Sequence, residues 1–290
     1  MKIKNYLSLV KFSHTIFALP FALIGFFLAI KTEPGLSQSE GIKIFILVIL
    51  DMIFARNAAM GFNRYIDRKI DYENPRTKVR EIPSQVISSR SALIFVILNS
   101  VLFLVATYFI NPLVFYLAPV ALAVVLGYSY TKRFTWLCHF ILGVGLSLAP
   151  IGAYLAVTGE FALPPILFSL TVLFWTAGFD IIYSLQDTGF DKAHDLKSIP
   201  VILGKKRALQ LSSVLHIIAF VFIAWAGIEA AKEFGVWYWA GAAFFAGSLL
   251  YQHLIVKADD LSKINLAFFT LNGAAGIVFA IFTVLALYIR

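Results

Sequence analysis

The sequence is poor in cysteine and in charge. Cys138 is the one cysteine among 290 residues, which excludes an internal disulfide framework and a metal centre built on several thiolates. Only 14% of the residues are charged, whereas about 25% are charged in an average soluble domain. The shortage of charge therefore argues against an ordinary soluble protein.

Apolar runs take the place of the missing charge. Hydrophobic residues make up 60% of the chain, and the mean hydropathy is +0.84. The runs are bounded by proline, glycine and charge, and each has about the twenty residues that an α-helix needs to cross a bilayer core. We therefore expect an all-α polytopic membrane protein, a bundle of nine transmembrane helices in one domain over residues 1–290. The predicted spans are 12–31, 42–65, 91–110, 113–130, 134–157, 163–186, 208–230, 236–256 and 264–289.

Lysine and arginine are distributed unevenly between the two sides of the predicted bundle. The N-terminal side carries eighteen of them, the other side carries four, and two lie inside the second span. The positive-inside rule then predicts that the N-terminus is cytoplasmic, with the protein in the cell (inner) membrane and its site facing the cytoplasm. Because the basic residues are spread over short loops and form no recognisable motif, nucleic acid is not expected as a partner. Nothing in the sequence indicates an oligomeric state.

Two acidic motifs close the second and sixth predicted helices on the same side of the membrane. In the first, Arg56, Asn63, Asp67 and Asp71 share one stripe if the helix is regular, at about 100° per residue. The second motif has the same spacing, and its carboxylates are expected to share one face of a helix. Its members are Asp180, Tyr183, Asp187 and Asp191.

Carboxylates four residues apart on a helix favour a cation between them. Their Cβ atoms lie about 5–6 Å apart, so both stay ionised only at a cost unless a positive charge is near. Carboxylate and amide oxygens suit Mg²⁺, which is usually completed by substrate phosphates. The alternative is that the acids are solvated helix ends, paired with the basic residues Arg64, Arg68, Lys69 and Lys192.

Basic residues flank both acidic motifs. Arg76 and Arg80 follow the first motif, and Lys132 ends the fourth predicted helix one turn after Tyr128. Tyr128 and Lys132 can therefore point the same way and reach one phosphate oxygen. Acids that hold a metal, with bases nearby, describe a diphosphate site. Arg56 lies deeper, where it either makes a structural pair or receives an anionic acceptor.

At these residues the sequence resembles the UbiA superfamily of intramembrane prenyltransferases. The resemblance covers essentially the whole chain and is closest to the 4-hydroxybenzoate polyprenyltransferases. One departure is Arg64, where many members carry a further aspartate. The resemblance rests on Asn63, Asp67 and Asp71, on Asp180, Tyr183, Asp187 and Asp191, on Tyr128 and Lys132, on 74–77 with Arg80, on 198–200, and on the Phe12-Ser13-His14-Thr15 opening.

The resemblance implies a reaction and a role for each residue. A polyprenyl diphosphate would react with an aromatic acid, 4-hydroxybenzoate, whose carboxylate Arg56 would hold. Asn63, Tyr128, Asp180 and Tyr183 would bind substrate. The catalytic residues would be Lys132, Asp67, Asp71, Asp187 and Asp191. The ligands of Mg²⁺ would be Asn63, Asp67, Asp71, Asp187 and Asp191, and Arg76 and Arg80 would assist Lys132 in binding the diphosphate.

Other readings remain open at this point. A naphthoate-type acceptor of menaquinone synthesis is the main alternative within the superfamily, beside ether-lipid, tocopherol, haem O and chlorophyll branches. From another class, charged residues in spans also mark ion-coupled transporters. The acids, however, cluster at one membrane face rather than near the midplane.

Overall fold

The computed structural model describes residues 3–10 and 17–289, and all regular structure in these ranges is helical. Residues 12–16 of the predicted first span, which include the Phe12-Ser13-His14-Thr15 opening, lie outside these ranges. A 3-10 turn, Leu185–Asp187, precedes α8, and a π-helix, Leu266–Leu271, precedes α11. The α-helices are α1 Ile3–Leu9, α2 Leu19–Thr32, α3 Gln38–Glu73, α4 Ser89–Tyr108, α5 Pro112–Thr131, α6 Cys138–Thr158, α7 Leu163–Ser184, α8 Thr188–Ala193, α9 Ile199–Glu229, α10 Val236–Ile255 and α11 Asn272–Tyr288.

Helices occupy the positions of the predicted spans, and seven of them are long and apolar enough to cross a membrane within the described residues. The described part of α2 has 14 residues, fewer than a span needs. α10 has 20 residues, but its tryptophan, tyrosine, glutamine and histidine residues make it less apolar. The count of nine spans and the cytoplasmic N-terminus therefore stay predictions. The seven helical segments are Gln38–Glu73, Ser89–Tyr108, Pro112–Thr131, Cys138–Thr158, Leu163–Ala193, which joins α7 to α8 through the 3-10 turn, Ile199–Glu229, and Leu266–Tyr288, which joins the π-helix to α11.

The helix α3 extends beyond its predicted span at both ends. Ser37 caps its first turn in a capping box with Glu40, and the helix runs without interruption to Glu73. A capping box satisfies backbone donors that the first turn leaves unpaired. Because the helix continues past residue 65, Asp67 and Asp71 lie on the same regular helix as Asn63, as the sequence predicted.

The second acidic motif departs from the predicted geometry. The helix α7 ends at Ser184, a 3-10 turn follows, and α8 then carries Asp191. The prediction that Asp180, Asp187 and Asp191 lie on one regular helix is therefore wrong, although all three face the same cavity. A 3-10 turn has about 3.0 residues per turn instead of 3.6, so it changes the direction of the side chains that follow.

The helix α9 begins before its predicted span, 208–230. Its first turn starts at Ile199, and Gly204 then interrupts the helical backbone with a φ of 75°. Only glycine adopts that backbone conformation without a steric cost. The regular part of α9 after Gly204 corresponds to the predicted span, and the short turn before it belongs to the loop that follows the second motif.

Close helix contacts and large aromatic side chains form the interior. Trp175 on α7 is fully buried, and its rings contact Phe21 of α2 and Phe245 of α10. Its indole N–H donates to Asn272 Oδ1 at 2.7 Å, which satisfies a polar atom inside an apolar core. Gly25 of α2 lies directly against the backbone of Pro150 in α6. Small residues permit such close approach, which helices in a membrane rely on for packing.

The N-terminal segment and the loops that carry the site meet at one end of the bundle. Ser8 hydrogen-bonds to Glu81 in the loop after α3. In turn, the Lys197 N–H before α9 donates to the Lys132 carbonyl after α5 at 2.7 Å. These segments were all predicted to lie on the N-terminal side, so the structure supports their common location.

Candidate active site

A cavity of about 910 Å³ lies between α3, α5, α6 and α7 and reaches the end of the bundle where the loops meet. One part of its wall is apolar and includes Val48, Phe103, Val114 and Leu148. All twelve residues that the sequence predicted for the site line this cavity. They are Arg56, Asn63, Asp67, Asp71, Arg76, Arg80, Tyr128, Lys132, Asp180, Tyr183, Asp187 and Asp191.

The first motif is held by two arginines from outside its own stripe. Asn63 donates to Asp67 Oδ2 at 3.1 Å, and Arg133 Nη2 lies 2.7 Å from Asp67 Oδ1. Arg80 Nη1 contacts both oxygens of Asp71, at 2.7 and 2.9 Å. Each carboxylate of this motif therefore already has a cationic partner. Sequence reasoning missed the role of Arg133, although its position directly after Lys132 was a usable signal.

The second motif is joined to the first by Arg76. Its guanidinium makes a two-pronged contact with Asp187, Nε to Oδ1 at 2.9 Å and Nη2 to Oδ2 at 2.5 Å. Its Nη1 also donates to the hydroxyl of Tyr183 at 3.1 Å. Burial by itself lowers the pKa of Arg76, but the hydrogen bonds and charge of Asp187 outweigh it, so this pKa is raised. Planar bidentate contacts of this kind are the stronger class of ion pair.

Lys132 completes the set of pairs at the second motif. Its Nζ lies 2.7 Å from Asp191 Oδ1, and Asp191 is fully buried. The spacing that placed Tyr128 and Lys132 on one side of α5 holds, since both line the cavity. Lys132 is therefore a cation at the cavity wall, and its present partner is a carboxylate.

Asp180 has a histidine partner that the sequence did not reveal. His139 on α6 is buried, and its Nδ1 lies 2.7 Å from Asp180 Oδ2. The other ring nitrogen, Nε2, accepts the backbone N–H of Ile199 at 3.3 Å. In this arrangement Nδ1 carries the proton and donates a hydrogen bond to Asp180. No spacing rule connects residues 139 and 180. The pair is formed by the packing of α6 against α7, so only the tertiary structure reveals it.

Arg56 lies deeper in the cavity wall. Its Nη2 donates to the carbonyl of Val10 at 3.0 Å, which ties α3 to the N-terminal segment. Both of the predicted alternatives, a structural pair or an anionic acceptor, stay compatible with this contact.

The donor chemistry of the cavity fits Mg²⁺. In the described ranges no three acidic, histidine or cysteine side chains are close enough to hold a metal ion, since each motif carboxylate contacts a cation instead. The side chains of Arg76, Lys132 and Arg133 are nevertheless 34%, 35% and 30% exposed, so they are free to turn toward an anion. The carboxylate and amide oxygens of the two motifs are the ligand atoms that Mg²⁺ prefers.

Comparison with known protein families finds one match over most of the chain. The model of the UbiA prenyltransferase family matches residues 18–274. The 4-hydroxybenzoate octaprenyltransferase of Aliivibrio fischeri is 31% identical over 242 residues, which cover 81% of this chain and 82% of that protein. The enzyme of the same name from Shewanella oneidensis is 29% identical over 241 residues and covers 82% of each chain.

Solved structures share this fold. A UbiA homologue from Aeropyrum pernix, solved without ligand, superposes with a TM-score of 0.81 at 31% identity over 93% of this chain and 96% of that one. A UbiA homologue from Archaeoglobus fulgidus, solved with GPP and Mg²⁺, has a TM-score of 0.72 at 21% identity over 97% and 99% of the two chains. The second likeness concerns the fold alone.

Proposed function

Because this chain belongs to the UbiA prenyltransferase family, we propose that it transfers a polyprenyl group from a polyprenyl diphosphate to 4-hydroxybenzoate in quinone biosynthesis. The observation that carries this proposal is the cavity itself. Both acidic motifs and their basic partners meet in it, beside an apolar wall. The names of the curated relatives support 4-hydroxybenzoate as the acceptor. Membership of a prenyltransferase family favours this function over an ion-coupled transporter.

The polar end of the cavity receives the diphosphate and its metal. Asn63, Asp67, Asp71, Asp187 and Asp191 would hold Mg²⁺, whose charge would stabilise the negative charge that develops on the diphosphate. A UbiA homologue of the same fold has been solved with GPP and Mg²⁺ bound. Arg76, Arg80 and Lys132 would exchange a carboxylate for a phosphate oxygen and so bind the same group.

The transfer needs one bond to break and one to form. The allylic C–O bond of the prenyl diphosphate breaks, and its electron pair leaves with the diphosphate. An aromatic carbon activated by the phenol hydroxyl then bonds to the allylic carbon and loses its proton, which restores aromaticity. Arg56 would hold the carboxylate of the acceptor and so fix which ring carbon faces the prenyl group.

The walls of the cavity protect the allylic cation from water. Tyr183 and Phe268 stack with ring centroids 4.1 Å apart, and both line the cavity. The face of an aromatic ring attracts a cation, so this pair can shield positive charge near the diphosphate. The apolar wall holds the prenyl chain, and a dry site prevents hydrolysis of the reactive intermediate.

The proposal extends to location. One domain over residues 1–290 would lie in the cell (inner) membrane with the cavity open to the cytoplasm, as the excess of lysine and arginine on that side predicts. Both substrates would then be cytoplasmic or dissolved in the bilayer.

The first test is product formation by membranes that contain this chain. A prenyl diphosphate, 4-hydroxybenzoate and Mg²⁺ should yield a prenylated acid, detected by mass spectrometry. EDTA should abolish the product, and Asp67→Asn should lower turnover by several orders of magnitude while the protein stays in the membrane. Turnover only with a naphthoate acceptor would move the assignment to the menaquinone branch. Wild-type rates for Asp67→Asn would contradict the role of Asp67.

A further inference from the structure

One cation in the cavity differs from all the others in its surroundings. Four of the basic residues that line the cavity form ion pairs with motif aspartates, and Arg56 donates to a backbone carbonyl. The remaining one, Arg64, makes no hydrogen bond and no ion pair with any described residue, and its Nε is sealed from solvent without a partner. The basic residues compared are Arg56, Arg64, Arg76, Arg80, Lys132 and Arg133.

Burial makes this isolation costly. Arg64 is 5% exposed and lies within a helix that is long and apolar enough to cross a membrane. A buried charge without a partner is strongly unfavourable, and arginine does not escape the cost by losing its proton at ordinary pH. None of the nearby acids forms an ion pair with Arg64, since Asp67 is held by Arg133, Asp71 is held by Arg80, and Glu81 accepts a hydrogen bond from Ser8. An anion from outside the chain would supply the missing partner.

The position of Arg64 on α3 indicates which part of the cavity that anion occupies. Arg64 follows Asn63 directly and precedes Asp71 by two helical turns, so the two side chains lie about 20° apart around the helix axis. Arg56 lies two turns, about 12 Å, farther from the loop end along the same helix. Arg64 therefore belongs to the polar end with the acidic motifs, and Arg56 to the deeper part.

We propose that the guanidinium of Arg64 binds an oxygen of the diphosphate group of the prenyl substrate directly. The inference rests on the proposed function. Every other basic residue at the polar end has to leave a carboxylate before it can hold a phosphate, whereas Arg64 has nothing to leave. Its planar fork of donors matches a phosphate oxyanion. Arg64 is then a substrate-binding residue that anchors the diphosphate before the paired cations rearrange.

The test compares ligand binding in three variants. Arg64→Gln removes the charge, and Arg64→Lys keeps it. Arg68→Gln is the control, since Arg68 on the same helix contacts the carbonyl and the ring of Tyr65 and lies outside the cavity lining. Thermal unfolding of each detergent-purified protein is followed with Mg²⁺ alone, with added geranyl diphosphate, and with added 4-hydroxybenzoate. The apparent Kd for each ligand follows from titration.

We expect Arg64→Gln to unfold at or above the wild-type temperature without ligand, because a buried charge is removed and no hydrogen bond or ion pair with a described residue is lost. Its apparent Kd for geranyl diphosphate should rise about 10- to 100-fold, the size of a lost charged hydrogen bond. Arg64→Lys should recover part of the affinity. The response to 4-hydroxybenzoate should match the wild type, and Arg68→Gln should match it with both ligands.

Three results would overturn the inference. Loss of the 4-hydroxybenzoate response with geranyl diphosphate binding intact would assign Arg64 to the acceptor carboxylate. A lower unfolding temperature for Arg64→Gln without ligand would show a structural partner. Equal diphosphate affinity in Arg64→Gln and wild type would show no contact. Failure of the proposed function is a different result, in which the wild-type protein itself neither binds geranyl diphosphate nor makes product.

Discussion

At the scale of single residues, the carboxylates of the two motifs have cationic partners from other segments of the chain. Asp67 is paired with Arg133, Asp71 with Arg80 and Asp191 with Lys132. In a partly buried cavity such pairs offset the cost of removing each charge from water. The same cations carry exposed faces, so the ion pairs hold the site together and also supply donors for a phosphate.

A substitution of Lys132 tests whether these cations supply donors for a phosphate. Replacement by alanine removes the cation next to Asp191 and a donor for the diphosphate, so the KM for the prenyl diphosphate should rise about 10-fold or more. The KM for the aromatic acceptor should change little, provided that KM follows binding. Steady-state kinetics with each substrate varied in turn gives both values.

The control for Lys132→Ala is Lys192→Ala, which removes the same charge from an exposed position on α8 next to Asp191. It should leave both KM values near the wild type. A rise in the acceptor KM alone for Lys132→Ala would show that the role given to Lys132 is wrong.

At the scale of the elements, two helices hold the motifs in different ways. The helix α3 is regular over 36 residues, so its polar stripe follows directly from residue spacing. The helix α7 ends before Asp187, and a 3-10 turn and α8 carry the rest of the second motif. Spacing alone could not reveal this break, because the residues at 184–188 contain neither proline nor any other strong helix stop, and tertiary contacts decide the backbone there.

Helix packing depends on glycine at the contact of α2 with α6. A Cβ atom added at Gly25 would lie 2.1 Å from the carbonyl oxygen of Pro150, a backbone atom that cannot turn aside. Gly25→Ala should therefore destabilise the protein by about 1–3 kcal/mol, the usual cost of overpacking. Thermal unfolding in detergent measures the loss.

Gly247→Ala is the matched control for Gly25→Ala. Gly247 lies in the middle of α10 with no atom within 4 Å of an added Cβ. Alanine has the higher helix propensity, so this variant should keep or slightly raise the unfolding temperature. The same temperature for both variants would contradict the close contact of α2 with α6.

At the scale of the whole molecule, the loops that carry the site meet at one end, and charge predicts which side of the membrane that end faces. In a Cys138→Ser background, one exposed serine at either end of the bundle can be changed to cysteine. Ser39 lies in the first turn of α3, and Ser84 lies between α3 and α4. A maleimide that does not cross membranes should label Ser39→Cys in intact spheroplasts. It should label Ser84→Cys only after the membrane is opened.

The reverse labelling pattern would place the cavity on the outer face, against the distribution of lysine and arginine. Labelling of both positions in intact spheroplasts, with a cytoplasmic control protein unlabelled, would contradict the predicted span between them. Labelling before and after permeabilisation in the same preparation separates these outcomes.

The sequence by itself determined the features that depend on neighbours along the chain. Apolar runs of membrane length produced the helical class, and spacing along α3 placed Asn63, Asp67 and Asp71 on one stripe. The twelve predicted residues all line one cavity, because both motifs and their flanking bases end helices on the same side.

Only the tertiary structure decided which residues contact each other across that cavity. The pairs Asp67 with Arg133 and Asp180 with His139 join residues 66 and 41 positions apart, and no periodicity relates such distant positions. The lack of an ion pair at Arg64 is likewise a property of the packed state, since it depends on Asp67 and Asp71 pairing with Arg133 and Arg80 instead. Local physics sets the helices and their stripes, whereas the pairing of charges depends on where helix packing brings them.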